Sequence, residues 1–336
     1  MVFPLSVVLE LTYKCNHRCI FCSCPWYAPN SKYPKGQELS LDEWKTAIDK
    51  LYEYGIQSFS ISGGEAILKD CMPEIVEYIH TEGLKRDVNS PIVLISNGLA
   101  MKDEYLQLFK RCNVLLSMSL PGYSTFKEHT GVDNADGVLG WFEKAKSLGM
   151  QTTVNVTVTK KNYHELFETI SMGLLSGASS VLLNRFLPGG RGLNNMEDLK
   201  LTPEQVNGML DTVEEVLTLA NRYGNLGTEV AYCSIKQPTK YRRIQIGYQC
   251  AAAKTFFVID PSGNIRTCNH SPHIVGHILK DPMIEDIDYW NLFAQGEYKP
   301  DMCSRCKNRF KCDCGCREVA NILHGSPIEK DTSIIN

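Results

Sequence analysis

The stretch Val7-Val8-Leu9-Glu10-Leu11-Thr12-Tyr13-Lys14-Cys15-Asn16-His17-Arg18-Cys19-Ile20-Phe21-Cys22 decides how this chain is read. It opens as a short apolar and β-branched run, Val7–Leu11, and then passes directly into three cysteines spaced C-x3-C-x2-C. Five more such runs follow: Phe59–Ser62, Ile92–Ser96, Val114–Ser119, Thr153–Val158 and Val181–Phe186. Between them lie segments with apolar residues at helical spacing: Leu41–Tyr54, Met72–Thr81, Lys102–Phe109, Val138–Leu148 and Tyr163–Leu175. Ser40 and Pro73 suit helix starts, and Gly55, Gly83 and Gly149 suit helix stops. Thr202-Pro203-Glu204 opens a sixth helix that runs to about Tyr223. Alternation of strand and helix builds a parallel sheet with helices outside it.

Six units are too few to close an eight-fold barrel. The expectation is therefore an α/β fold, a partial (β/α)6 TIM-like barrel, over residues 1–223. Chemistry in such barrels gathers at the C-terminal ends of the strands, where the first cysteines fall. From Gly224 the alternation breaks. Thr255–Asp260 reads as a strand and Pro261-Ser262-Gly263-Asn264 as a hairpin turn. The cysteine-rich remainder, part of a second domain at 224–336, holds too little apolar sequence for a core of its own and needs a metal staple.

Composition removes other classes. Hydrophobic residues make up 43% and charged residues 22%, as in an ordinary globular protein. A net charge of −3 gives no reason to expect nucleic acid or an anionic membrane as partner. The N-terminus lacks a basic n-region and a small-residue cleavage site, and no apolar run approaches the roughly 18–20 residues that span a bilayer. A cytoplasmic location is expected. The unusual number is 14 cysteines. Cys15, Cys19, Cys22 and Cys24 group at the start; Cys303, Cys306, Cys312, Cys314 and Cys316 group near the end, preceded by Cys250 and Cys268. Grouped thiols in a long chain without an export signal point to metal.

Three closely spaced thiolates can hold three corners of a [4Fe–4S] cube and leave one iron open to a substrate. Taken alone, the spacing also fits a zinc site completed by His17, and Cys24 could close either site. The aromatic Phe21 before the third cysteine makes the motif resemble the signature of the radical S-adenosylmethionine (SAM) superfamily, and other segments match in order. Ser62-Gly63-Gly64-Glu65 resembles the family's GGEP motif for the SAM amino group, with Ala66 in place of proline. Ser96-Asn97-Gly98 resembles its segment near the ribose, and Ser117-Met118-Ser119-Leu120-Pro121-Gly122 its next SAM-binding segment. Asn155 lies where a polar residue meets SAM, and Asn184-Arg185-Phe186 ends the sixth run. The resemblance implies that SAM is cleaved reductively to a 5′-deoxyadenosyl radical, which takes hydrogen from a substrate. Phe21, Gly63, Gly64, Glu65, Ser96, Asn97, Ser117, Ser119, Asn155 and Arg185 are the implied SAM-binding set.

The tail, C-x12-G-x4-C followed by C-x2-C-x5-C-x3-C, resembles the SPASM extension with its two auxiliary [4Fe–4S] clusters; a zinc ribbon is the alternative. The resemblance assigns Cys250, Cys268 and Cys316 to one cluster and Cys303, Cys306 and Cys312 to the other. The family's last cysteine is expected about 15–20 residues beyond Cys316, and the sequence there reads to Ile334-Ile335-Asn336 without one. Cys314, Asp313 or Asp331 could replace it, or one iron is open; Cys233 is a candidate fourth ligand of the first auxiliary cluster. Cys233 is also a candidate hydrogen-atom donor. Cys71 and Cys112 read as inert core thiols, and His270, His273 and His277 as packing residues.

SPASM enzymes mostly modify peptides and proteins, which implies a ribosomally made peptide substrate and a crosslink, thioether or epimerisation as outcome. The sulfatase-maturing group carries an Asp where this chain has Asn269, which cannot act as a base, so that activity is marked down. Only 14 residues precede Cys15, so either a separate leader-binding protein presents the peptide, or the barrel mouth and tail bind it, or the substrate is not a peptide; flavodoxin or ferredoxin is the expected electron donor. The loop from Cys24 to Gly36 is a candidate cover for the site. Arg185 and Pro188–Gly192 would suit a carboxylate or an acidic peptide. The alternatives are a small-molecule or tetrapyrrole substrate and, outside enzymes, a zinc-stapled binding module.

Overall fold

A computed structural model describes residues 3–333; Ile334 and Ile335 lie outside the described residues. The six expected units are present. β1 (Ser6–Glu10) is followed by α1 (Leu41–Glu53), β2 (Ser58–Ser62) by α2 (Met72–Lys85), and β3 (Ile92–Ser96) by α3 (Asp103–Arg111). β4 (Val114–Ser119) leads to the short α4 (Phe126–Thr130) and to α5 (Ala135–Ser147). β5 (Thr152–Val158) and α6 (Leu166–Ser176) form the fifth unit; β6 (Ser180–Arg185), the one-turn α7 (Met196–Leu199) and α8 (Pro203–Leu219) form the sixth. Capping boxes start α1 (Ser40 with Glu43) and α8 (Thr202 with Gln205), each satisfying free N–H groups of the first turn. Gly55 and Gly149 follow their helices at positive φ, but Gly83 is no stop. It lies inside α2, where an added Cβ would sit 2.9 Å from Ser90 Oγ and 3.1 Å from the Tyr52 hydroxyl, so it serves close packing.

The parallel sheet extends past six strands. β7 (Gly224–Leu226) and β8 (Ile244–Ile246) continue it beyond β6. At the other edge, β9 (Phe256–Ile259) pairs in parallel with β1. β10 (Asn264–Arg266) returns antiparallel after the expected Pro261–Asn264 turn and is joined by β11 (Gly276–His277). The order is β11-β10-β9-β1-β2-β3-β4-β5-β6-β7-β8, an open sheet of eleven strands among the described residues.

One hydrophobic core spans barrel and tail, from Leu9, Phe59 and Leu116 to Phe257, Ile265 and Trp290. The tail helices are α9 (Ile287–Ala294), whose Trp290 packs edge-on to Phe257 at 5.8 Å, and α10 (Arg317–His324). A buried ion pair, Arg266 with Glu10, ties the end of β10 to the end of β1. No helix among the described residues is long and apolar enough to cross a membrane.

Candidate functional site

Because β1 to β6 are parallel, their C-terminal ends open on one face, and the cysteine loop leaves β1 there. The segment after β2 locks the loop's entry: Gly64 N–H donates to Thr12 O (2.8 Å) and Glu65 N–H to Lys14 O (2.8 Å). A Cβ on Gly64 would lie 2.2 Å from Lys14 O, and Gly63, at φ +137°, would bring one to 2.8 Å from Thr12 O. The two glycines are therefore required by the loop's own backbone. Farther along, Arg18 N–H donates to Thr130 O (2.8 Å), Ile20 N–H to His129 O (2.9 Å) and Gly192 N–H to Cys22 O (3.1 Å). A Cβ on Gly190 would be 2.5 Å from the carbonyl oxygens of both Cys22 and Cys24. The Pro188–Gly192 run, expected to meet an anionic substrate, thus backs the cysteine loop instead.

Cys15, Cys19 and Cys22 line a cavity of about 410 Å³, and Cys250, Cys268 and Cys316 line the same cavity. Two triplets of thiols more than 200 residues apart in sequence face one space. Burial pushes the Cys15 thiol up to about 11 and the Cys19 thiol higher, so neither ionises near neutrality until a metal displaces its proton. Among the described residues no three His, Cys, Asp or Glu side chains converge as ligands of a single metal ion. The cavity's thiols fall in two groups, Cys15, Cys19, Cys22 and Cys24 on one side and Cys250, Cys268 and Cys316 on the other, and three thiolates from each would suit a cube with one open corner. Cys24 turns its thiol toward Gly63 O (3.9 Å) while still lining the cavity.

The expected SAM-binding residues divide. Phe21, Gly64, Glu65, Ser96, Asn97, Ser119 and Arg185 line the cavity. Buried Glu65 accepts from Ser96 Oγ (2.9 Å) and Asn97 N–H (2.7 Å); burial raises its carboxyl to about 7 against these hydrogen bonds. Asn97 Nδ2 donates to Asn16 Oδ1 (2.7 Å) and lies 3.9 Å from Cys15 Sγ. Gly63, Ser117 and Asn155 are not on the wall: Gly63 is pressed on the loop backbone, Ser117 is buried within β4, and Asn155 accepts from Asn184 Nδ2 (2.9 Å), with Asn184 reaching the cavity instead. Arg185 faces the cavity but is committed to Asp331 (2.6 Å) and to Ser333 Oγ (2.8 Å), so it is no free cation for a carboxylate substrate.

Several tail expectations change. Asp331 is spent on Arg185 and on Cys316 N–H (2.9 Å). Asp313 is spent on Cys250 N–H (2.9 Å), Tyr298 OH (2.9 Å), Lys254 (3.1 Å) and Lys299 (3.2 Å). Asp331 uses both oxygens, and Asp313 keeps only Oδ1 without a hydrogen bond, 3.2 Å from Lys299 Nζ. Cys233 is exposed and off the cavity wall; Cys312, Cys303 and Cys306 are among its neighbours. It therefore reaches neither the first auxiliary triplet nor a substrate in the cavity, and the hydrogen-donor role finds no geometry. Cys303, Cys306 and Cys312 also stand outside the cavity. The Cys24–Gly36 loop is built into the fold rather than free: Tyr33 donates to Asp260 (2.6 Å), Tyr27 to Tyr13 O (2.6 Å), and Arg266 lies over the rings of Trp26 and Tyr33. The histidines pack as expected, with His273 on Asp286 (2.7 Å) and His277 on Ser262 O (2.9 Å).

Sequence reasoning missed Glu229, Glu318 and His270 as cavity residues. Glu229 accepts from Ala251 N–H (3.3 Å), has no ion-pair partner among the described residues, and is raised by burial. Its position just after a three-residue strand in a stretch without motif carried no signal. His270, two residues after Cys268, donates Nε2–H to Pro188 O (2.8 Å) and leaves Nδ1 without a partner; burial lowers it to about 4, so it is neutral. Asn269 also lines the cavity and donates to Glu10 (3.1 Å).

Comparison with known proteins agrees with this geometry. Residues 9–172 match the family model of the radical SAM superfamily. The chain is 26% identical over 350 residues to the AdoMet-dependent heme synthase of Methanosarcina barkeri, covering 98% of this chain and 95% of that protein. It is 26% identical over 345 residues to the PqqA peptide cyclase of Xanthomonas campestris pv. campestris, covering 98% and 86%. Its fold matches that of Streptococcus suis SuiB bound to its precursor peptide SuiA, with a TM-score of 0.75 at 18% identity over 100% of this chain and 77% of that one. Matched over 9–172, with a three-thiol loop at the open end of its parallel strands, that part of the chain is a radical SAM domain, and the protein is an enzyme that uses S-adenosylmethionine and a [4Fe–4S] cluster.

Proposed function

We propose that this enzyme takes hydrogen from a ribosomally made peptide held between its two inner thiol triplets. The observation that carries this is the shared cavity: Cys15, Cys19 and Cys22 on one side and Cys250, Cys268 and Cys316 on the other. When bound, the first cluster supplies the electron that breaks a sulfur–carbon bond of SAM. Ser96, Asn97 and Ser119 are proposed to orient SAM, with Glu65 bracing Ser96 and Asn97. The triplet from the tail faces the substrate, and residues 224–336 act as the auxiliary-cluster domain on the barrel of 1–223. A crosslink, thioether or epimerisation remains the expected class of product, in the cytoplasm, with flavodoxin or ferredoxin as electron donor and a separate protein presenting the leader.

A second reading, a tetrapyrrole or other small molecule, is favoured by the heme synthase relative. The charges of the wall speak for the peptide. Glu65, Glu229 and Glu318 supply three carboxyl groups, while Arg185 is neutralised by Asp331. Such a wall disfavours a substrate rich in carboxylates and suits a neutral or cationic side chain.

The test is anaerobic reconstitution with iron and sulfide, then reduction with SAM present and assay of 5′-deoxyadenosine with a candidate precursor peptide. About eight to twelve irons per chain, 5′-deoxyadenosine and a peptide that loses hydrogen mass are the expected results. Intact SAM in the loaded, reduced protein overturns the radical reading. Conversion of a tetrapyrrole with the peptide untouched establishes the second one.

A further inference from the structure

Outside the cavity, Cys303, Cys306 and Cys312 form a triplet whose fourth partner the sequence leaves open. We infer that Cys314 is that partner and closes the outer cluster with four thiolates. The inference rests on reading the tail as iron–sulfur ligands. Cys314 Sγ lies 3.0 Å from Cys303 Sγ, and Cys314 N–H donates to Cys312 Sγ (3.3 Å). The thiol is buried, 3% exposed, near the start of a buried run, Asp313–Ala320, that follows the largely exposed Asp301–Lys311 loop.

The backbone adds a second, independent argument. Cys314 has φ +67° and is followed by Gly315 at φ +85°. A non-glycine residue in the left-handed region costs about 1–2 kcal/mol, and glycine is at home there. A cysteine at such a position is strain kept for what its side chain does. The turn is fixed by Arg317, which is fully buried and donates to the Cys314 carbonyl. In Cys312-Asp313-Cys314-Gly315-Cys316 the chain thereby divides its thiols. Cys316 faces the cavity, whereas Cys314 meets Cys303 and its N–H lies on Cys312 Sγ.

The rivals are weaker. Asp313 and Asp331 are consumed by Lys254, Lys299 and Arg185. Cys233 sits in a turn whose neighbour Tyr232 donates N–H to Cys312 Sγ (3.3 Å), but its own thiol is exposed. On loading, Cys303 and Cys314 must part to separate corners of a cube. The Asp301–Lys311 loop, whose backbone hydrogen bonds run chiefly within itself, can supply that movement. A four-thiolate cluster has no open iron, so the outer cluster relays electrons and the inner triplet meets the substrate.

The experiment compares reconstituted full-length protein with its Cys314→Gly and Cys233→Ala variants. Glycine suits the backbone at 314, so loss of the thiol is separated from strain. Iron and sulfide are counted, and electron paramagnetic resonance is recorded oxidised, then reduced with and without SAM. Cys314→Gly is expected to lose about four irons or to show a three-iron signal, whereas Cys233→Ala keeps the full count. Full iron with an unchanged spectrum in Cys314→Gly, or the loss appearing in Cys233→Ala instead, overturns the assignment. Wild-type protein whose spectrum does not respond to SAM would instead overturn the functional reading above.

Discussion

The two cysteine loops of this molecule, Cys15–Cys22 and Cys303–Cys312, are held in opposite ways. The Cys15–Cys22 loop is gripped by its surroundings. β2's end bonds its entry, α4's end bonds Arg18 and Ile20, Gly192 bonds Cys22, and Glu38 accepts from Thr12 Oγ1 (2.7 Å) and Tyr13 N–H (2.9 Å). The Cys303–Cys312 loop grips mainly itself: Cys303 bonds Pro300, Cys306 bonds Cys303, Arg309 bonds Cys306 and Lys311 bonds Asn308, all within a few residues. The barrel thus presents a loop shaped before metal arrives, whereas the outer loop of the tail takes its shape from the metal. On the assignment proposed above, a site that must discriminate SAM needs the first arrangement, and a relay needs only the second.

The largest test of this contrast lies at the seam, where Arg266 pairs with Glu10. Both are buried, at 0% and 2% exposure, and Arg266 also lies 5.7 Å from the Trp26 ring and 5.5 Å from that of Tyr33. Arg266→Met leaves Glu10 as a buried, uncompensated carboxylate just upstream of the cysteine loop. It should cost about 3–5 kcal/mol in unfolding of the reconstituted protein, measured with denaturant. Removing both charges with Glu10→Gln in the same chain should recover most of the loss. A cost under about 1 kcal/mol for Arg266→Met would mean that the apolar core alone joins tail to barrel.

The contrast also explains what sequence could and could not reveal. The six barrel strands and their helices repeat a period, so Ile92–Ser96 and Val114–Ser119 were legible to the residue. β7, β8 and the pairing of β9 with β1 were not. Three- and four-residue strands carry no period, and a pairing across more than 240 residues leaves no local mark. Gly63 and Gly64 were legible as a motif, but their physical cause, the Lys14 and Thr12 carbonyls, appears only when the strands are side by side. Asp313, Asp331 and Arg185 were mistaken for available groups because their partners lie far along the chain.

A smaller effect should come from Gly64→Ala, which attacks only the shaped loop. The new methyl would meet Lys14 O at 2.2 Å and Lys14 C at 2.6 Å, both backbone atoms that cannot swing away. About 1–3 kcal/mol of stability should be lost. More tellingly, iron should fall by about four per chain, with the response to SAM, while the tail clusters stay. Even loss from all clusters would show that the tail depends on the barrel loop and would break the contrast.

The smallest effect belongs to Asn97, a single clamp among many. Its Nδ2 donates to Asn16 Oδ1 (2.7 Å), and its Oδ1 accepts from Leu99 N–H (3.0 Å). Its backbone N–H, which holds Glu65, is kept in both alanine and aspartate variants. Asn97→Ala removes both side-chain bonds and should cost about 0.5–1.5 kcal/mol each, as for ordinary hydrogen bonds. Asn97→Asp keeps the acceptor for Leu99 but loses the donor to Asn16, and it sets a second carboxyl beside buried Glu65. The aspartate should therefore be worse than alanine above the pH at which both carboxyls ionise, near and above 7 given Glu65's raised value, and no worse below it. Unfolding of the two variants at either side of that pH reads the difference. If alanine alone releases the first cluster, the loop hangs on one residue and is not preshaped; if it costs only the expected amount with iron retained, the grip is shared among the many contacts that surround it.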